Sequence, residues 1–285
     1  MIDANKLKNV KRSTISIGLA EHDKFPLVVL GTGFFVSSDA LIMSAGHVLE
    51  ECAKTKQYFH KTHGKDLYVV ASFAYTSKQE QHILSPRIGE ARLLKMKRYD
   101  LGYVGPLDFD ISIAQLEEKK SKPLAFLDLN PTKKDLYQEV AICGYPQGDE
   151  SFALLDNPSG LKLSPIIQFG HISGFMPYDD ADIPYGIQTD IVGTGGSSGS
   201  PIVNTNGELL GIAQRVMSAE VLKSPSGLQT ENKETEFAKI GITYGLLNHY
   251  FPEMLRGVRD SFEKGTSPEM NFRYTGLPNM EVRVI

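Results

Sequence analysis

The chain has 285 residues, of which 41% are hydrophobic and 22% charged, with a net charge of −4. This is an ordinary globular composition, with enough apolar residues for a sizeable core in one large domain or two small ones. The slight acidity, with a pI of about 6.0, gives no electrostatic reason to expect nucleic acid or an anionic membrane as a partner.

At the N-terminus, MIDANKLKNVKRSTISIGLA interleaves lysines with polar residues and lacks the apolar block of a secretory leader. No apolar run approaches the roughly 20 residues of a membrane-spanning helix. A cytoplasmic location is the resulting expectation. Short apolar runs bounded by Gly, Pro, Asn or Asp then follow one another: PLVVLGTGFFV (26–36), ALIMSAGHVL (40–49), DLYVVASFAY (66–75), EVAICGY (139–145), PIVNTNGELLGIAQRV (201–216) and AKIGITYGLL (238–247). Their length, β-branched content and turn punctuation predict strands. Asn206-Gly207 predicts a tight hairpin, because both central residues of a two-residue turn need φ > 0.

Helices are scarce in this reading. A short turn of helix is expected after His47, through VLEECAK. Phe251, Leu255, Val258 and Phe262 recur at the spacing of one helix face, predicting a terminal helix over about 250–263 with Pro252 in its first turn. Many strands, few helices and no linker or internal repeat indicate an all-β sandwich or barrel with a C-terminal helix. Residues 264–285 read as an irregular C-terminal tail.

Cys52 and Cys143 are the two cysteines, expected as free thiols. His60 and His63, in a lysine-rich stretch, are read as an incidental pair rather than a zinc site. The acidic YDDAD (178–182) is read as a solvated loop without the ordered ligand spacing of a calcium site. No metal or cofactor is expected.

Three segments carry chemistry. GTGFFVSSDALIMSAGHVL ends a strand in Ala45-Gly46-His47. DFDISIAQL (108–116) places Asp110 before alternating Ile111, Ser112, Ile113 and Ala114, with Asp108 competing for any functional role. IQTDIVGTGGSSGSPIVNTNGELLGI (187–212) holds a small-residue turn with Ser197, Ser198 and Ser200. No Gly-Lys-Ser/Thr follows its glycines, so a phosphate loop does not fit. A serine hydroxyl is a poor nucleophile at neutral pH. It needs an adjacent base, and the base needs a carboxylate to fix its tautomer.

Through these motifs the sequence resembles the trypsin-like (chymotrypsin-fold) serine peptidases, especially their HtrA-type branch. In that family a His follows a small-residue pair at a strand end, and an Asp opens a D-I-[AS]-hydrophobic strand. The nucleophile lies in G-[DN]-S-G-G-P, which in HtrA-type members follows I-Q-T-D by five residues. Here IVGTG supplies those five between Asp190 and Gly196-Ser197-Ser198-Gly199-Ser200-Pro201. The register singles out Ser198.

VAICGYPQG (140–148), FGHISGF (169–175) and IGITYGLL (240–247) fall in family order, so the resemblance runs from about residue 14 to 262. It implies two six-stranded antiparallel barrels, one over about 14–118 and one over about 136–248, followed by the helix. It also implies a serine endopeptidase working through an acyl-enzyme on protein or peptide substrates. His47 would be the base, Asp110 its orienting carboxylate and Ser198 the nucleophile. The backbone N–H groups of Gly196 and Ser198 would form the oxyanion hole.

The departures carry information. Ser197 stands where relatives hold Asp or Asn, which argues against activation through a newly cleaved N-terminus. Ser200 stands in place of a glycine, as a small spacer. The roughly twenty residues after the helix are too few for a PDZ domain. By the resemblance, Val192 would lie near the floor of the primary pocket, with Ala213, Gln214, Arg215 and Val216 along one wall. Nothing acidic stands there, so small-to-medium uncharged residues are expected before the cut. The alternative is a catalytically silent trypsin-like module that binds peptides or partners. The sequence leaves oligomeric state and any activating partner open.

Overall fold

The computed structural model describes residues 4–21, 28–76, 81–84, 86–98, 107–117, 125–146, 164–176, 179–182, 184–222, 235–264 and 281–284. Helix α1 (Ala4–Ser13) leads into strands β1 (Thr14–Ala20), β2 (Val28–Phe35) and β3 (Leu41–Ala45), then helix α2 (Gly46–His63). Strands β4 (Tyr68–Thr76), β5 (Gln81–Leu84), β6 (Ile88–Arg98) and β7 (Leu107–Leu116) complete the first half. The second half holds β8 (Glu139–Gly144), β9 (Ile166–Met176), β10 (Gly186–Thr189), β11 (Pro201–Asn204), β12 (Leu209–Leu222) and β13 (Thr235–Leu247). A 3-10 turn (Asn248–Tyr250), helix α3 (Phe251–Lys264) and strand β14 (Glu281–Val284) follow.

Strands β8 to β13 close into an antiparallel barrel in the order β10-β13-β12-β11-β8-β9. The first sheet runs β14-β6-β7-β3-β2-β1-β4-β5. Its middle six strands curl until Val70 bridges Arg87 and Ala71 N donates to Pro86 O, a nearly closed barrel. Two six-stranded antiparallel barrels and a terminal helix are therefore present, as the sequence predicts, with β5 and β14 added to the first. Strand β14 corrects one expectation: within the supposedly irregular tail, Glu281–Val284 pair with Lys95 to Arg92 of β6. Residues 265–280 of that tail, like Tyr178 of the acidic loop, lie outside the described residues.

Each barrel's inner strands are apolar on both faces, because one face fills the barrel and the other fills the seam between barrels. Phe35 and Ile42 point into the first barrel, whereas Phe34, Leu41 and Met43 point into the seam. In the second barrel Val140, Ile142 and Ile202 point inward, and Ala141, Cys143 and Val203 face the seam. The period of two is present but carries no polar face. Helix α3 closes the seam with buried Phe251, Met254 and Val258, and Leu255 packs beside them.

Helix α2 spans 18 residues rather than a short turn. Val48, Leu49 and Cys52 anchor it on the first barrel, and its C-terminal half is exposed. It ends where Gly64 adopts φ 63° and donates to His60 O, a left-handed cap that suits glycine. Helix α1, absent from the sequence reading, buries Leu7, Val10 and Ser13 and is tethered by Lys6 Nζ donating to Asn206 Oδ1 at 3.1 Å.

The β11–β12 hairpin is also looser than a two-residue turn. Asn204 N donates to Glu208 O and Gly207 N to Asn204 O. Gly207 alone takes positive φ, 74°, giving a three-residue loop with a bulge. The Asn204 side chain stabilises this geometry, its Oδ1 accepting from Asn206 N at 2.9 Å and Glu208 N at 3.0 Å.

Two local packings generate expectations. Ser200 is fully buried, and its hydroxyl occupies the space a Cβ on Gly144 would need. Gly144→Ala is therefore expected to lower stability by about 1–3 kcal/mol through overpacking. Ser200→Gly in the same chain should recover most of that loss, as thermal unfolding of the two single variants and the double variant would measure. Cys52 and Cys143 are buried free thiols, and burial pushes both up to about 12. Neither should react with a disulfide reagent at pH 8 in the native protein, whereas both should react in denaturant.

Candidate active site

The site lies where β3 and β7 of the first barrel meet the turn before β11 of the second. Strand β3 pairs with β7 through Ala45↔Ile111, so the next residue back on β7, Asp110, lies beside the start of α2. Its carboxylate Oδ2 accepts the His47 backbone N–H at 3.1 Å and the ring Nδ1–H at 2.5 Å. The first N–H groups of a helix have no partner within it, and here a carboxylate from a neighbouring strand satisfies one. The helix dipole favours negative charge at that place. The bond fixes the ring proton on Nδ1 and leaves Nε2 as an acceptor. Asp110 is 5% exposed and the His47 side chain 42%, so the imidazole faces solvent and the carboxylate does not. Asp110 meets His47; the Asp108 side chain lies outside the described residues.

The small-residue turn is held from several sides. Gly199 N donates to Ala213 O and Ala213 N to Ser200 O, both at 2.8 Å, pinning the turn to β12. Gly196 and Gly199 take φ of 83° and 85°, a region that L side chains rarely adopt. A Cβ on Gly199 would also collide with Thr32 O.

The carbonyls of the turn are all engaged. Gly195 O accepts from Thr194 Oγ1 at 3.3 Å and Gly196 O from Thr32 Oγ1 at 2.7 Å. Ser197 O accepts from Ser200 N at 3.1 Å, and Ser198 O from Thr32 N at 2.9 Å. In a trans peptide the N–H points opposite to the C=O, so the Gly196 and Ser198 N–H groups are turned away from those partners. Neither has an acceptor among the described residues. Ser197, where an acid or amide was the family pattern, is buried and closes the turn on itself: its Oγ accepts from Thr194 N at 3.3 Å.

Ser198 is half-buried, and its hydroxyl donates to the Gln214 carbonyl at 3.2 Å. Among the described residues it makes no hydrogen bond to His47. Gln214 is the extra residue at a β-bulge, since Ala213 pairs with Gly245 and Arg215 with Tyr244. The bulge turns its side chain toward β7, where Nε2 donates to Asp110 O at 2.6 Å. Gln214 thus touches both the acid-bearing strand and the serine. Nothing in the sequence marked this role, because a bulge is set by strand register.

The residues expected around the primary pocket stand in different surroundings. The Ala213 side chain lies in the second barrel's core, and Gln214 Nε2 donates to Asp110 O. Arg215 is exposed, and Val192, expected at the floor, is 48% exposed. The Val216 side chain and Thr243 Oγ1 face Gly193, with Thr243 Oγ1 donating to Ile191 O at 2.6 Å.

No helix among the described residues is long and apolar enough to cross a membrane. No curated protein matches the chain. Among solved structures, Deg5 is 17% identical with a TM-score of 0.53, the likeness covering 92% of this chain and 94% of that one. The MamO protease domain from Magnetospirillum magneticum, in its apo form, is 11% identical at a TM-score of 0.48, covering 88% and 98%. The HtrA-type protease AlgW with decapeptide is 14% identical at 0.49, covering 92% and 67%. The Deg5 likeness concerns the fold. The family model for the trypsin-like peptidase domain matches residues 31–212, a span that contains His47, Asp110 and Ser198. With more than half of its length matched, this chain belongs to the trypsin-like peptidase family.

Proposed function

We propose that the protein is a serine endopeptidase that cleaves through an acyl-enzyme, with Ser198 as nucleophile, His47 as base and Asp110 as the group that orients the base. The observation that carries this reading is the pairing of Asp110 Oδ2 with both His47 N–H groups. It fixes the tautomer that can take a proton at Nε2. Ser198 Oγ would leave the Gln214 carbonyl by rotation about χ1, give its proton to His47 Nε2 and attack the scissile carbonyl carbon. The developing oxyanion would accept from the Gly196 and Ser198 N–H groups. Asp110 would stabilise the imidazolium, which returns the proton to the leaving amine. Water, activated by the same imidazole, would then release the acyl group.

The spacing of IQTD from the serine turn supports the HtrA-type branch. Val216 beside Gly193, with no carboxylate among those neighbours, supports small-to-medium uncharged residues before the cut. A second reading, a silent binding module, draws on one observation: the Ser198 hydroxyl rests on Gln214 O rather than on His47.

A fluorophosphonate probe separates the two. Labelling is expected for the wild type, Ser197→Ala and Ser200→Ala, and should vanish in Ser198→Ala. An unlabelled wild type favours the binding module. Asp110→Asn should lower kcat by about 10⁴-fold, by analogy with other triads, with circular dichroism showing an intact fold. Cleavage of a peptide library should follow Ala, Val or similar residues. Cuts after Lys or Arg would sink the specificity assignment.

A further inference from the structure

We propose that Thr32, on the first barrel, is a positioning residue that sets the oxyanion-binding turn of the second. Its catalytic consequence rests on the serine-peptidase reading above; its geometric claim does not. Thr32 lies between Gly31 and Gly33 in β2 and is fully buried. Its N–H donates to Ser198 O at 2.9 Å, and its hydroxyl donates to Gly196 O at 2.7 Å. The same hydroxyl accepts from Tyr145 N at 3.0 Å, and its carbonyl accepts from Ser44 Oγ at 2.7 Å.

The direction of the hydroxyl bond is unambiguous. Tyr145 N–H can only donate and Gly196 C=O can only accept, so the Thr32 proton lies on the Gly196 side. One residue therefore holds two of the turn's carbonyls, those on either side of the Ser197–Ser198 peptide. Rotation of the Gly196–Ser197 peptide would break the hydroxyl bond, strand a buried carbonyl and release the conformation in which the Gly196 and Ser198 N–H groups converge.

The neighbouring glycines leave room for this approach. A Cβ on Gly31 would press on Ser198 O at 3.2 Å, and one on Gly144 would lie 3.0 Å from Thr32 Oγ1. An apolar isostere would fill the same volume while deleting the bond. A purely structural residue would then cost stability. A positioning residue must also cost transition-state stabilisation.

The test compares Thr32→Val, Thr32→Ser and the wild type. It reads kcat and KM on a peptide substrate, inhibition by a peptide boronate, and thermal unfolding. Thr32→Val is expected to lower kcat and weaken the boronate about 10- to 100-fold while KM moves by less than about threefold; Thr32→Ser should stay within about threefold of wild type throughout. Thr32→Ala replaces the valine variant if the latter does not fold.

A folded Thr32→Val enzyme with wild-type kcat and boronate affinity overturns the proposal. So does a serine variant as impaired as the valine one, because methyl packing would then be the cause. If the wild type itself turns over no substrate and takes no probe, it is the peptidase reading that falls. The positioning claim is then decided by the Gly196 and Ser198 amide resonances. Shifts in Thr32→Val that are absent in Thr32→Ser sustain it, and unmoved resonances overturn it.

Discussion

The apolar seam between the barrels is the constraint on which the site depends. His47 and Asp110 come from one barrel and Ser198 from the other, so their relation is only as fixed as the contact between barrels. Phe34, Met43, Ile111 and Ile113 on one side meet Cys143, Val203 and Ile212 on the other, with α3 sealing the joint. Burying each large aliphatic or aromatic side chain is worth about 1.5–3 kcal/mol, whereas a typical internal hydrogen bond nets about 0.5–1.5 kcal/mol. The seam therefore drives association of the barrels. The polar links across it, from Thr32 to Ser198, Gly196 and Tyr145 and from Gln214 to Asp110, fix orientation instead. Losing one should disturb geometry more than it disturbs folding.

Asp110 serves two purposes at once. A carboxylate this buried is costly unless charge-accepting partners surround it, and the first turn of α2 supplies an N–H and the positive end of a helix dipole. The same oxygen holds the imidazole. Folding of the β3–α2 junction and orientation of the base are thus one interaction. This explains why His47 follows the strand immediately, with only Gly46 between. A longer connection would carry the ring away from the helix end that stabilises the acid.

Much of this was legible in the residues, and what was hidden had physical causes. Apolar runs bracketed by turn residues located the strands. The two-faced burial of those strands removed the polar alternation that separates a barrel from a sandwich, so the barrel count came from the family motifs instead. Helix α2 was underestimated because beyond Val48, Leu49 and Cys52 only Phe59 packs against the core cluster, within a lysine-rich and largely solvated stretch. Among its described residues helix α1 buries two apolar side chains, Leu7 and Val10, too few for a periodic signal. Strand β14 pairs with β6 far away in sequence, and four residues carry no local mark of that. The triad candidates were placed by spacing. The contacts of Gln214 and Thr32 depend on register and a bulge, and one-dimensional patterns do not encode either.

The serine turn shows how a position can depart from its family's usual residue without losing the geometry. An acid or amide next to the nucleophile can hold such a turn through charge or through two-sided hydrogen bonding. Here Ser197 offers only a hydroxyl, which it uses on Thr194 N within the turn. The remaining constraints come from outside: β12 through Ala213, and β2 through Thr32. Carbonyls left free would compete for the space in which N–H groups must converge, since a peptide offers one group or the other on a given side. With each carbonyl from Gly195 to Ser198 already bonded, the Gly196 and Ser198 N–H groups stand open without a charged side chain at position 197. On this view the feature still waiting to move is the Ser198 hydroxyl, whose departure from Gln214 O is a single side-chain rotation rather than a rearrangement of the loop.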